Sequence, residues 1–137
     1  MSVGVCARAT GPEAVTLLGT GALATLIGAR LARAGAAVTL VGTWSEALAT
    51  IAAAGLAVED AGGRWTAPAR AVRLDEPLEP AGLVIVLVKG QRTAQVARPA
   101  AGLTRKDGLL LTLQNGLGPA DCLAAVAGFE RVASGVA

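Results

Sequence analysis

The sequence predicts an α/β fold: a doubly wound, mostly parallel sheet flanked by helices, with a small β-hairpin inserted. Apolar runs of strand length alternate with segments of helical period, the first run ends on a Gly-x-Gly-x-x-Ala turn, and one interval carries an Asp-Ala-Gly-Gly turn instead of a helix. A chain of 137 residues is the length of one domain and buries roughly two thirds of its unfolded surface. Its apolar content rests on Ala, Leu and Val, with one Phe, two Trp and no Tyr, so the layers are expected to pack closely on small side chains.

Residues 1–13 read as a loose tail, with Arg8 in the middle and a Gly11-Pro12 break, unlike the basic start, apolar run and cleavage site of a secretory signal. Ala14 to Leu18 is a continuous apolar run, and Leu23, Ile27, Leu31 and Ala34 then recur at helical spacing until Gly35 can stop the helix. Ala37 to Val41 is a second buried strand. Thr43-Trp44-Ser45-Glu46 has the Thr-x-x-Glu pattern of a capping box, opening a helix that Gly55 ends. Leu56, Val58 and Trp65 flank Asp60-Ala61-Gly62-Gly63, which predicts the hairpin within residues 56–73.

Leu83 to Val88 is the most apolar run, as expected of a central parallel strand covered on both faces, and it leads directly into Lys89. A helix from about Arg92 to Pro99, a strand from Leu109 to Leu113 ending at Gln114-Asn115-Gly116, a helix from Pro119 to Ala127 and a strand from Arg131 to Val136 complete the pattern. Strands and helices alternating at this interval imply right-handed crossovers. The sequence stops after a strand, where an open α/β sheet usually continues, so residues 14–137 are expected to form a domain truncated at its C-terminal end.

Composition removes several function classes. The formal charge of +2 is spread over 12 basic and 10 acidic residues with no basic cluster and little aromatic surface, which argues against nucleic acid. Residues 14–29 are uncharged but interrupted by Gly19, Gly21 and Gly28, and they are short for a membrane span. The absence of His and of metal-like carboxylate spacing sets aside a metal site and a serine triad. Cys6 and Cys122, far apart and in no Cys-x-x-Cys motif, are expected to be reduced thiols in a cytoplasmic protein.

The turn Gly19-Thr20-Gly21-Ala22-Leu23-Ala24 follows a strand and opens a helix, the context in which Gly-x-Gly-x-x-Ala signifies a Rossmann-like dinucleotide site. Gly19 permits the tight turn, Gly21 lets the backbone approach a pyrophosphate, and Ala24 with Gly28 lets the helix lie close to the sheet. At the end of the second strand, Val41-Gly42-Thr43-Trp44 offers no carboxylate to a ribose 2′-hydroxyl. Thr43 and Ser45 can receive a 2′-phosphate there, or Thr43 only caps the helix, and Glu46 weighs against NADP. Lys89 stands at the carboxyl edge as a ligand contact or a solvated loop cation, and Asn115 as a site residue or simply part of a turn.

Leu18-Gly19-Thr20-Gly21-Ala22-Leu23, Val86-Leu87-Val88-Lys89 with Gln91 and Thr93, and Leu113-Gln114-Asn115-Gly116-Leu117-Gly118 together resemble ketopantoate reductase, from about Val15 to the chain end. The resemblance implies NADPH-dependent reduction of 2-dehydropantoate to pantoate, a step toward coenzyme A, with NADP held by Gly19 to Ala24. It also implies that Lys89 and Asn115 contact the cofactor near the nicotinamide end, Asn115 lying close to the substrate as well. Two departures stand out. Gly42, Thr43 and Trp44 occupy the stretch where the family often has an Arg for the 2′-phosphate, so NAD stays open. The family's helical second domain, with its proton-donating Lys and most substrate contacts, has no counterpart in these residues.

The chain is therefore expected to be the NADP-binding half of a ketopantoate-reductase-like oxidoreductase, without a catalytic acid of its own and meeting a 2-keto acid only with a second domain. Self-association through the uncovered face is expected. The rival reading is a stand-alone, non-catalytic nucleotide-binding module. A methyltransferase using S-adenosylmethionine is disfavoured because no acidic residue ends the second strand.

Overall fold

A computed structural model of the chain describes residues 13–114 and 118–137; the expected N-terminal tail, apart from Glu13, lies outside them. In chain order the elements are β1 (Ala14–Leu18), α1 (Ala22–Arg33), β2 (Ala37–Gly42), α2 (Ser45–Ala54), β3 (Leu56–Asp60), β4 (Gly63–Ala67), β5 (Arg70–Arg73), β6 (Ala81–Val86), α3 (Thr93–Leu103), β7 (Thr104–Thr112), α4 (Pro119–Ala127) and β8 (Val132–Ser134). Single 3-10 turns lie at Gly90–Arg92 and Phe129–Arg131.

Six strands form one sheet in the order β5-β2-β1-β6-β7-β8, and every pairing within it is parallel. The chain winds outward from β1 in both directions, so the strand order reverses between β1 and β6. That is the point where open α/β sheets leave a crevice at their carboxyl edge. Successive strand residues point to opposite faces, and this divides the core in two. Val15, Leu17, Val38, Leu40 and Ile85 pack with Ala24 and Ala29 of α1, Ile51 of α2, and Leu56 and Val58 of the hairpin. Leu18, Val41, Val84, Val86 and Leu110 pack with Val96, Ala97 and Ala100 of α3 and Leu123 of α4.

The hairpin β3-β4 pairs antiparallel from Leu56↔Ala67 to Asp60↔Gly63. Its turn is tied by the Asp60 carboxylate, which accepts from the Trp65 indole N–H and the Gly62 backbone N–H, each at 2.9 Å. Those two bonds hold the Asp60 carboxyl below the usual carboxylate range.

Several expectations are corrected. Residues 56–73 contain more than a hairpin: β5 leaves it and adds a parallel edge strand to the main sheet beside β2. Only Val72 of β5 is buried, so this four-residue strand shows almost no alternation to read. The helical spacing of Leu23, Ile27 and Leu31 does not mark the innermost face of α1; its fully buried positions are Ala24, Gly28 and Ala29, while Leu23 is exposed. Small residues win that face because the helix lies so close to the sheet. A Cβ on Gly28 would stand 2.9 Å from Leu17 Cδ1, 3.0 Å from Leu56 Cδ1 and 3.4 Å from Leu40 Cδ1.

Thr43 caps nothing. β2 runs on to Gly42, α2 starts at Ser45, and the N-cap is Trp44 without a side-chain bond. Pro99 does not end α3, which continues to Leu103. The carbonyl that loses its N–H partner belongs to exposed Gln95, and burial of Val96, Ala97 and Ala100 offsets the interior-proline penalty of about 3 kcal/mol. β6 stops at Val86, short of Lys89, and β7 begins at Thr104, where a register shift relative to β6 absorbs the extra residues. The final strand is only Val132–Ser134.

Gly28→Val is expected to destabilise the fold by about 1–3 kcal/mol through overpacking, whereas Gly102→Ala, with nothing within 4 Å of its added Cβ, is expected to be neutral or slightly stabilising. Urea midpoints at constant slope measure both.

Candidate functional site

The turn after β1 is held from both sides. Gly19 N–H donates to Val41 O of β2 at 2.9 Å, and Leu87 N–H beyond β6 donates to Leu18 O at 2.8 Å. Gly19 has φ +137°, and a Cβ on it would lie 3.2 Å from the carbonyl carbon of Leu87. Both the conformation and the close backbone demand glycine. Thr20 packs over Gly42, where an added Cβ would meet Thr20 Cγ2 at 2.8 Å. The middle of the turn is thus seated on the end of β2.

Gly21 differs from Gly19. It is the N-cap of α1 with φ −79° and ψ −173°, a conformation open to any residue, and a Cβ there would meet nothing within 4 Å. The first bond back into the helix is Thr25 N–H to Gly21 O at 3.0 Å, so the amides of Ala22, Leu23 and Ala24 precede the first intrahelical donor and have no acceptor within the helix. No side chain caps them and no carboxylate stands in the first turn. Amides left in this state, with the positive end of a 12-residue helix, attract an anion.

At the end of β2, Thr43 is exposed, and its Oγ1 accepts from the Arg92 guanidinium at 3.4 Å, across 49 residues of sequence. A recess of about 370 Å³ beside it is lined by Gly42, Thr43, Arg73, Leu74 and Asp75. Arg73 Nε and Nη2 donate to the two Asp75 oxygens at 3.0 and 3.3 Å. That pairing raises the Arg73 pKa and lowers that of Asp75.

On the other side of the turn, Lys89 is exposed in the loop after β6. It shares a groove of about 300 Å³ with Leu23, Leu87, Val88, Gly90, Gln91, Leu113 and Gln114. The structure therefore brings Lys89 to the first turn of α1, as a carboxyl-edge residue should be. Asn115 lies outside the described residues.

Gln114 organises this loop. Its Nε2 donates to Val88 O at 2.6 Å and to Thr93 Oγ1 at 2.8 Å, its Oε1 accepts from Thr112 Oγ1 at 2.9 Å, and Thr93 Oγ1 donates onward to Gly90 O at 2.8 Å. The carbonyls on both sides of Lys89 are thereby tied to the end of β7. Sequence reasoning quoted Gln114 within its motif without a role and passed over Arg92, whose partner no local pattern could reveal. Among the described residues no group of three or more His, Cys, Asp or Glu is placed to hold a metal ion, and no helix is long and apolar enough to cross a membrane.

A family model for ketopantoate reductase PanE/ApbA matches residues 15–137. A 2-dehydropantoate 2-reductase of Halobacterium salinarum is 40% identical over 111 residues, covering 80% of this chain and 36% of that protein. The crystal structure of 2-dehydropantoate 2-reductase from Geobacter metallireducens superposes with a TM-score of 0.80 at 33% identity, over 90% of this chain and 40% of the other. D-mandelate dehydrogenase in a ternary structure with NADH and anilino(oxo)acetate superposes with a TM-score of 0.83 at 25% identity, over 90% of this chain and 40% of the other. The chain spans little more than a third of the length of its curated relative.

The two turn glycines are expected to respond differently to substitution. Gly19→Ala should cost about 1–3 kcal/mol of stability through backbone strain. Gly21→Ser supplies a better N-cap and should leave stability equal or slightly higher. Chemical denaturation of the two variants distinguishes them.

Proposed function

The chain belongs to the ketopantoate reductase family, and on that premise we propose that it is the NADP-binding half of an oxidoreductase that reduces 2-dehydropantoate to pantoate with NADPH. The observation that carries this reading is Gly21. Among the described residues nothing requires glycine there, since its φ is ordinary and the space beside it is open. Its missing side chain therefore serves something outside the chain, and the uncapped amides of α1 beneath it specify an anion.

The pyrophosphate fits over Gly19, Thr20 and Gly21, against the amides of Ala22, Leu23 and Ala24. The bound cofactor supplies a hydride to the keto carbon of the substrate. Lys89, on the far side of the turn from Thr43, and Asn115, next to Gln114 in sequence, are assigned to the nicotinamide end. Gln114 contributes by fixing the Lys89 loop. Thr43 belongs to the adenosine end. The proton donor and most substrate contacts are assigned to residues outside these 137, because the chain spans only 36% of its curated relative. The substrate class is a 2-keto acid, which covers both 2-dehydropantoate and the oxidised partner of mandelate.

This reading leaves a row of leucines to be covered. Leu83, Leu111 and Leu113 are only half-buried on the α1 side of β6 and β7, and Leu109, of the same strand parity, is 40% exposed. In the isolated chain a second copy is proposed to take that place.

Titration of the purified chain with NADPH is expected to show saturable binding, reduced about tenfold or more in Gly21→Ser while stability holds. Equal binding by the variant, or none by the parent chain, would overturn the assignment. Sedimentation should show concentration-dependent association; a monomer at all concentrations would refute the second-copy proposal.

A further inference from the structure

We propose that Arg92, on the 3-10 turn after β6, binds the 2′-phosphate of the dinucleotide and so makes this chain selective for NADP over NAD. The inference deepens the nucleotide reading above and rests on it. In a doubly wound sheet the adenosine ribose lies over the end of the second strand, where a carboxylate holds a free 2′-hydroxyl and an arginine receives a 2′-phosphate. Here that strand ends Val41-Gly42-Thr43-Trp44, without a carboxylate. The cation comes instead from the other half of the sheet: Arg92 reaches over the crevice to Thr43 Oγ1.

Three features fit Arg92 for an anion. Its contact with Thr43 is long, at 3.4 Å, and is made to a neutral hydroxyl, so a phosphate oxygen would displace or share it with a shorter, charge-assisted bond. Its backbone is fixed, because Arg92 N–H donates to Lys89 O at 2.8 Å and the adjacent Thr93 is held by Gln114. The exposed guanidinium thus works from a rigid base and keeps most of its fork of donors available. Among the described residues, no carboxylate forms an ion pair with it.

Arg73, the other cation beside Thr43, is not equivalent. Both Asp75 oxygens occupy its guanidinium, and displacing them would leave a carboxylate facing the phosphate. Glu46 sits in the first turn of α2, pointing the selectivity the other way only if nothing cationic offsets it. Arg92 provides that offset.

The test uses the adenosine half of the cofactor alone, 2′,5′-ADP against ADP, titrated into the 137-residue chain. The parent chain is expected to prefer 2′,5′-ADP by about tenfold or more. Arg92→Ala should erase that preference and leave ADP affinity within about twofold, Arg92→Lys should keep part of it, and Arg73→Ala should keep all of it. Unfolding midpoints close to the parent's are expected for all three variants. Preference surviving in Arg92→Ala, or equal weakening of both ligands, overturns the assignment to Arg92 while leaving nucleotide binding intact. Failure of the parent chain to bind either ligand overturns both the inference and the reading beneath it.

Discussion

The end of β1 is the point on which the rest of the molecule depends, because its backbone is shared between the two halves of the sheet. Leu18 O accepts from Leu87 N–H on one side, and Gly19 N–H donates to Val41 O on the other. These bonds bring the ends of β2, β1 and β6 level and hold Gly19, at positive φ, against the Leu87 carbonyl, where an added Cβ would stand only 3.2 Å from the carbonyl carbon. From there the chain can only turn outward. α1 must then start directly above the reversal in strand order, with its uncapped amides facing the crevice.

The lie of α1 follows from the same crowding. Gly28 and the small residues Ala24 and Ala29 let it settle on β1 and β2, and the hairpin closes over its outer flank through Leu56 and Val58. A larger side chain at Gly28 would lift the helix and carry its N-terminus away from the turn. Packing deep in one core thus sets the position of an edge of uncapped amides about two helical turns away.

Around that edge the polar groups divide by origin. Backbone amides of α1 occupy the centre. Thr43 and Arg92 approach one another from opposite halves of the sheet, and Lys89 stands on the far side with Leu23. The loop that carries both Lys89 and Arg92 is tied to β7 through Gln114, every hydrogen-bonding hand of whose side-chain nitrogen is used. A half-buried amide so satisfied stiffens the loop, because losing any one partner would strand the others.

Local chemistry alone made much of this legible. Apolar runs and helical spacing located β1, α1, β2, α2, β6 and α4, and the glycine turn located the uncapped start of α1, since each of these signals lies within a few consecutive residues. Other features depended on partners distant in the chain. β5 is a strand because β2 offers it an edge, α3 passes through Pro99 because its inner face is buried, and Thr43 meets Arg92 instead of capping α2 because β2 runs one residue further. Asn115, read from its motif, lies outside the described residues. The sequence by itself determined the order of elements apart from β5, the motif and the family. Only the tertiary structure decided that Thr43 meets Arg92 instead of capping α2, and which cation faces the end of β2. Both depend on distances between segments that periodicity does not encode.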